Sequence, residues 1–265
     1  MYSLWLTCKP EEVEILSVEL WELGSSGIRE IETDLGITLA ATFETSSARP
    51  EIAARFAAYA PQWICEEPVD WVAVSRAAWP GREIGSRFLV VPPWRAAAET
   101  SGRLRLVHNP ALACGTAEHP CTQLALTALE KFVHPGTVAC DIGTGSGILA
   151  IAARKLGAAR ALAVDIDCAA LNSARENFEL NGLSAELICG SAGALAAACS
   201  DITIANISAT VLLAIWEDLL RITRRPGWLI LTGFPKSEAK MLQDLAPQPE
   251  IFELEGWICL AAALA

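Results

Sequence analysis

Three glycines at alternate positions, Gly143, Gly145 and Gly147, stand between two aspartates, Asp141 and Asp165, each of which closes a short apolar run. Those residue types at those spacings suit a ligand that carries a nucleoside. Glycine has no Cβ to collide with such a ligand and adopts positive φ without strain, so the backbone approaches closely. Asp165 lies 18 residues beyond Gly147, where a neighbouring strand should end, so its carboxylate can accept both hydroxyls of a ribose. A helix after the glycines would offer free N–H groups to a phosphate or carboxylate.

The elements that must position these residues follow from periodicity. Residues 137–140 read as a strand, Ile148, Leu149, Ile151 and Leu156 recur at helical spacing before Gly157, and residues 161–164 read as the next strand. This is one βαβ unit of a doubly wound fold. Downstream, the pattern predicts a helix over 168–180 with Asp167 as its N-cap, then strands over 185–189 and 201–205, the second ending at Asn206. A long helix over 210–221 follows, then a strand over 228–232 and an antiparallel pair over 252–254 and 257–260. Upstream lie strands at 87–91 and 104–107, a loop over 109–122 and a helix over 123–132. Residues 1–70 read in the order βαββαβ, a ferredoxin-like α+β module, and 70–79 as a connecting helix. The expected fold class is α/β. Its parts are a ferredoxin-like domain over 1–70, a linker helix and strand over 71–100, and a Rossmann-like domain over 101–265.

Composition narrows the function. In 265 residues, 52% are hydrophobic and 19% charged, which excludes disorder. The net charge of −11 argues against a nucleic-acid backbone as main partner. Residues 1–70 hold 13 acids and 4 bases, a net of −9, so most of the charge sits in the front module. His108, His119 and His134 show no metal-ligand spacing, and no metal is expected. Nine cysteines without a C-x-x-C pair, several in apolar runs (Cys140, Cys189, Cys259), read as buried reduced thiols. No basic region followed by an apolar core opens the chain, and the apolar run 257–265 is too short to span a bilayer. A cytoplasmic monomer is expected.

Two nucleoside ligands compete for the glycine loop. Gly145-x-Gly147-x-x-Ala150 satisfies the dinucleotide fingerprint of a NAD-dependent oxidoreductase. Asp141-x-Gly143-x-Gly145-x-Gly147 resembles the loop of Rossmann-like S-adenosylmethionine-dependent methyltransferases. Asp141 favours the second, because an acid at the strand end attracts the ammonium of a methionine moiety and repels a pyrophosphate. Four stretches in order add to this: Gly115-Thr116-Ala117-Glu118-His119-Pro120-Cys121-Thr122, the glycine loop, Val164-Asp165-Ile166-Asp167 and Ala205-Asn206-Ile207. Together they resemble the PrmA family, bacterial methyltransferases acting on protein eleven of the large ribosomal subunit, and the resemblance covers nearly the whole chain.

The resemblance implies a bound S-adenosylmethionine contacted at Thr122, Gly143, Asp165 and Asn206, and a front module that recognises a ribosomal protein whose amino groups are methylated. Asp141, Gly145 and Gly147 complete the expected cofactor set. Asn206 is the expected catalytic residue, accepting a hydrogen bond from the amine or fixing the cofactor. The substrate-side loop departs from the family pattern: Ala117 replaces a glycine, Cys121 a threonine, Asn109-Pro110-Ala111 stands for Asp-Pro-Gly, and Cys114 for a Phe. A methyltransferase of another substrate, a NAD-dependent oxidoreductase and a non-catalytic module binding a nucleoside or the ribosome are the alternatives.

Overall fold

A computed structural model describes residues 2–33, 36–43, 49–65, 81–97, 99–109, 117–184 and 186–265. The chain divides into two compact units, Met1–Ala78 and Trp79–Ala265. In the first, β1 (Tyr2–Cys8), β2 (Gly27–Thr33), β3 (Gly36–Phe43) and β4 (Gln62–Cys65) form one sheet in the order β2-β3-β1-β4. Every neighbouring pair is antiparallel, which is the ferredoxin-like arrangement. Leu16 and Leu20 of α1 (Val13–Glu22) and Ile52 of α2 (Arg49–Arg55) pack on Leu4, Leu6, Leu39 and Ala41 of the sheet.

The second unit opens with β5 (Arg82–Ile84), β6 (Phe88–Val91) and β7 (Leu104–Val107), a small sheet in that order. Its other elements in chain order are α3 (Pro120–Phe132), β8 (Val138–Ile142), α4 (Ile148–Leu156), β9 (Arg160–Asp165), α5 (Cys168–Leu180), β10 (Glu186–Cys189) and β11 (Ser200–Asn206). They continue with α6 (Ala209–Ala214), α7 (Trp216–Ile222), β12 (Thr223–Pro235), α8 (Ala239–Leu245), β13 (Glu250–Leu254) and β14 (Trp257–Leu264). The main sheet runs β10-β9-β8-β11-β12-β14-β13. The five strands from β10 to β12 are parallel, and β14 runs against both of its neighbours. The strand order reverses between β8 and β11, and the crevice at such a switch point is where doubly wound sheets bind ligands.

Both faces of this sheet are covered, so its strands are apolar on alternate residues of each face. Ala139, Ala163, Ile204 and Ile230 face a core built with α3 and α4. Cys140, Ile142, Leu162, Val164 and Leu231 face the other core, with α6, α7 and α8. Glu130 of α3 ties the small sheet down, accepting from the backbone N–H groups of Ser86 and Arg87 at 2.9 and 2.8 Å. Asn177 and Asn181 of α5 do the same for the end of β7. Asn181 Oδ1 accepts from the Val107 N–H and its Nδ2 donates to the Val107 carbonyl. Asn177, fully buried, accepts from the Asn109 N–H through Oδ1 and donates through Nδ2 to the Ser146 carbonyl, both at 2.9 Å. His108 lies between these ties with both ring nitrogens unpartnered among the described residues, and burial pushes it down to about 4.

Several expectations change. The helix expected from Gln123 begins at Pro120, because proline loses no N–H at a first helical position and His119 Nδ1 accepts from the Cys121 N–H as cap. The single helix expected over 210–221 is two, broken at Ile215 (φ −107°, ψ 13°). The sequence reading contained no helix α8. Cys168 and Cys189, expected to be reduced, form a disulfide. Cys189 ends an edge strand beside the start of α5, and both residues are exposed. An apolar run in sequence does not tell an edge strand from a central one. The helix expected over 70–79 falls outside the described residues, as do residues 110–116 of the loop 109–122.

Candidate functional site

A cavity of about 840 Å³ opens at the switch point, lined by the ends of β8, β9 and β11 and the start of α3. Thr122, Gly143, Gly145, Asp165 and Asn206 all line it, while Asp141 and Gly147 do not. The volume lies within the range of pockets that enclose small organic ligands.

Asp165 ends β9, and each of its oxygens already has a partner. Oδ2 accepts from the Gly145 N–H at 2.9 Å and Oδ1 from the Asp167 N–H at 3.0 Å. A carboxylate has about four acceptor sites, so each oxygen keeps capacity for a hydroxyl. The glycine loop is thus drawn onto the end of β9, and the N–H groups of Gly143 and Thr144 complete the hold by donating to the Val164 carbonyl. Asp167 caps α5 by accepting from the Ala169 N–H at 2.8 Å.

Asp141 works from behind the loop. Its Oδ2 accepts from Thr144 Oγ1 at 2.7 Å and from the Ala150 N–H at 3.2 Å, while Oδ1 is buried without a partner among the described residues. Burial pushes this carboxyl up to about 6, against the lowering effect of those two hydrogen bonds. Its carboxylate is therefore turned into the protein and away from the cavity wall.

The glycines are needed for space as well as for φ. A Cβ on Gly143 (φ +72°) would lie 2.6 Å from Ile207 Cγ2, and one on Gly147 (φ +80°) 3.1 Å from Ala174 Cβ. A cradle that leaves no room for one methyl group fits a ligand laid flat against the backbone.

On the far side of the cavity, Asn206 Nδ2 donates to Thr122 Oγ1 at 3.3 Å. This orients the amide so that Oδ1 has no partner among the described residues. Sequence reasoning gave no site role to two residues here. The His119 ring meets Trp257 edge-on at 4.6 Å, and both line the cavity. Only the Gly-Thr-Ala-Glu-His-Pro stretch could have marked the histidine; the tryptophan, on the last strand, carried no local signal. Ile207, Val211 and Ile215 form the apolar wall beside Asn206. Among the described residues, no three His, Cys, Asp or Glu side chains cluster to hold a metal, and no helix is long and apolar enough to cross a membrane.

These features fit an S-adenosyl ligand better than a dinucleotide. Two of the donors that could meet a pyrophosphate are spent on the protein's own acids: the Gly145 N–H on Asp165 and the Ala150 N–H on Asp141. A pyrophosphate beside Gly145 would meet the Asp165 carboxylate, which lines the cavity.

Comparison with known proteins agrees. A ribosomal protein L11 methyltransferase of Symbiobacterium thermophilum is 30% identical over 260 residues, covering 96% of this chain and 82% of that protein. One from Thiobacillus denitrificans is 35% identical over 248 residues, covering 92% and 81%. Among solved structures, the ribosomal protein L11 methylase of Lactobacillus delbrueckii subsp. bulgaricus superposes with a TM-score of 0.65 at 31% identity, covering 71% of this chain and all of that one. The sequence pattern of the family described as ribosomal protein L11 methyltransferase (PrmA) matches residues 42–264. With the cavity, the glycine cradle and the sheet order already in place, this chain belongs to that family.

Proposed function

We infer that this enzyme transfers methyl groups from S-adenosylmethionine to amino groups of ribosomal protein L11. The observation that carries the reading is the Asp165 carboxylate at the end of β9, which lines the cavity, takes the Gly145 N–H and keeps acceptor sites for a ribose. Asp165 holds the ribose hydroxyls with its remaining lone pairs. Gly143 and Gly145 let the backbone lie against the ligand.

S-Adenosylmethionine, when bound, supplies a methyl carbon activated by its sulfonium sulfur. The chain's own work is to admit the amine neutral and to aim it. An amine entering beside Ile207, Val211 and Trp257 leaves water, which disfavours its charged form, so its proton passes to solvent as it enters. Asn206 Oδ1 then accepts one remaining N–H, while the bond from its Nδ2 to Thr122 fixes the amide's direction. Alignment of this kind lowers barriers by several kcal/mol, and methyl transfer asks for little else.

The first unit serves as the docking domain. Its charge of −9 over residues 1–70 complements a basic ribosomal protein and speeds encounter. The enzyme works as a monomer in the cytoplasm, where ribosomal proteins are made. The test is incubation with labelled S-adenosylmethionine and purified L11, read by label in the protein and by mass of its peptides. Label on L11 amines is expected. Label on a different ribosomal protein would retain the chemistry and replace the substrate, and NAD binding in preference to S-adenosylmethionine would overturn the reading.

A further inference from the structure

The Cys168–Cys189 disulfide sits on the rim of the cavity. Cys189 ends β10 and stands in register with Asp165 on β9. The three residues after it, Gly190, Ser191 and Ala192, line the cavity. Cys168 opens α5 three residues after Asp165, and the intervening Ile166, 79% exposed, also lines the cavity. The bridge therefore joins the end of β10 to the first residue of α5, three residues beyond Asp165, alongside the hydrogen bond from the Gly190 N–H to the Asp165 carbonyl at 2.8 Å.

Both cysteines are exposed, so small thiols reach the bridge without unfolding the protein. Their Cα atoms are 5.4 Å apart, a spacing set by strand register and the start of a helix, so the two sulfurs stay adjacent when reduced. Cys168 is the first residue of a 13-residue helix, whose opening N–H groups favour a thiolate leaving from that sulfur. An exposed pair in an enzyme that works among ribosomal proteins meets a reducing medium, where disulfides are transient and redox-sensing.

We propose that Cys168 and Cys189 form a reversible thiol–disulfide switch that sets how firmly the ribose-binding end of the cavity is held. In the reducing direction, a thiolate of glutathione attacks one sulfur, the S–S bond breaks, and a mixed disulfide forms. A second glutathione thiolate displaces the remaining protein sulfur. The products are two protein thiols and one glutathione disulfide, with two electrons passed to the protein and two protons from the small thiols. Oxidation is the reverse, with glutathione disulfide as the oxidant. The oxidised bridge fixes Ile166 and Gly190–Ala192 around Asp165 before the ligand arrives, and reduction leaves that ordering to be done on binding. The proposal rests on the S-adenosylmethionine reading of the cavity.

The experiment equilibrates the full-length protein across a series of glutathione and glutathione disulfide ratios. At each ratio, alkylation and peptide mass spectrometry read the state of the pair, circular dichroism reads the fold, and calorimetry with S-adenosylhomocysteine reads affinity. The pair should interconvert with one midpoint in folded protein, and the reduced form should bind about three- to tenfold more weakly. The double variant Cys168→Ser/Cys189→Ser should show the weaker affinity at every ratio. A pair fixed in one state across the series, or affinities equal within twofold in both states, overturns the switch. A folded protein that binds the probe in neither state overturns the cofactor reading and the switch with it, while the interconversion seen by mass spectrometry is read separately.

Discussion

Replacing Asp165 with alanine removes two kinds of contact at once, and a neighbouring substitution separates them. The carboxylate accepts from the N–H groups of Gly145 and Asp167 and faces the cavity, where the proposed ligand would place its ribose. Hydrogen bonds to a charged group contribute about 1.5–3 kcal/mol each. Loss of two ribose contacts at the lower end is about 3 kcal/mol, or roughly a hundredfold in affinity at about 1.4 kcal/mol per tenfold. Asp167→Ala is the comparison. That side chain caps α5 through the Ala169 N–H and is absent from the cavity wall, so its loss should cost about 1 kcal/mol of stability and leave affinity within a few-fold. Calorimetry with S-adenosylmethionine and denaturant titration on both variants give the four numbers needed. If folded Asp165→Ala binds as tightly as the parent, or if Asp167→Ala weakens binding as much as Asp165→Ala, the assignment of the ribose to Asp165 is refuted.

Asn206→Ala should lower kcat at least tenfold while changing cofactor affinity little, and equal losses in both would reduce Asn206 to a cofactor contact. The raised Asp141 carboxyl makes a pH prediction: a carboxyl whose folded value rises to about 6 contributes stability below about pH 4 that is lost as pH climbs through 6. Relative to Asp141→Asn, the parent should lose up to about 3 kcal/mol between pH 4 and pH 7.5 in urea titrations, and a difference that stays constant with pH would contradict the burial argument. Charge reversal of the exposed Glu11, Glu14 and Glu22 to lysine should lower kcat/KM on L11 about tenfold at low salt with cofactor affinity unchanged. The deficit should shrink as the screening length falls from about 10 Å at 0.1 M to about 3 Å at 1 M salt, and a salt-independent deficit would rule out electrostatic docking.

The parts of the fold that follow local rules were readable in the sequence. The span 168–180 of α5 and its cap at Asp167 follow from one acid before a helical period and an Asn-Gly after it. The mainly parallel character of the main sheet follows from alternation of strands and helices. What escaped depends on partners distant along the chain. The spacing of Asp165 put an acid at the strand end without saying that its oxygens would be claimed by Gly145 and Asp167. His119 and Trp257 come together only because α3 packs over β12, β14 and β13. Cys168 and Cys189 meet because β10 is an edge strand in register with β9, and no cysteine spacing encodes that. Ile215 breaks its helix inside an unbroken apolar period, so periodicity ran straight through it.

Asn177 has a consequence for how this family can diversify. One buried amide grips the Ser146 carbonyl of the glycine loop with one end and the Asn109 N–H with the other. The start of the substrate-side loop is therefore tied to the back of the cofactor loop through this side chain. Both bonds are made by Asn177 and use no side chain beyond Asn109. A substitution in the substrate-side loop therefore leaves the grip on the Ser146 carbonyl, and with it the back of the glycine loop, in place.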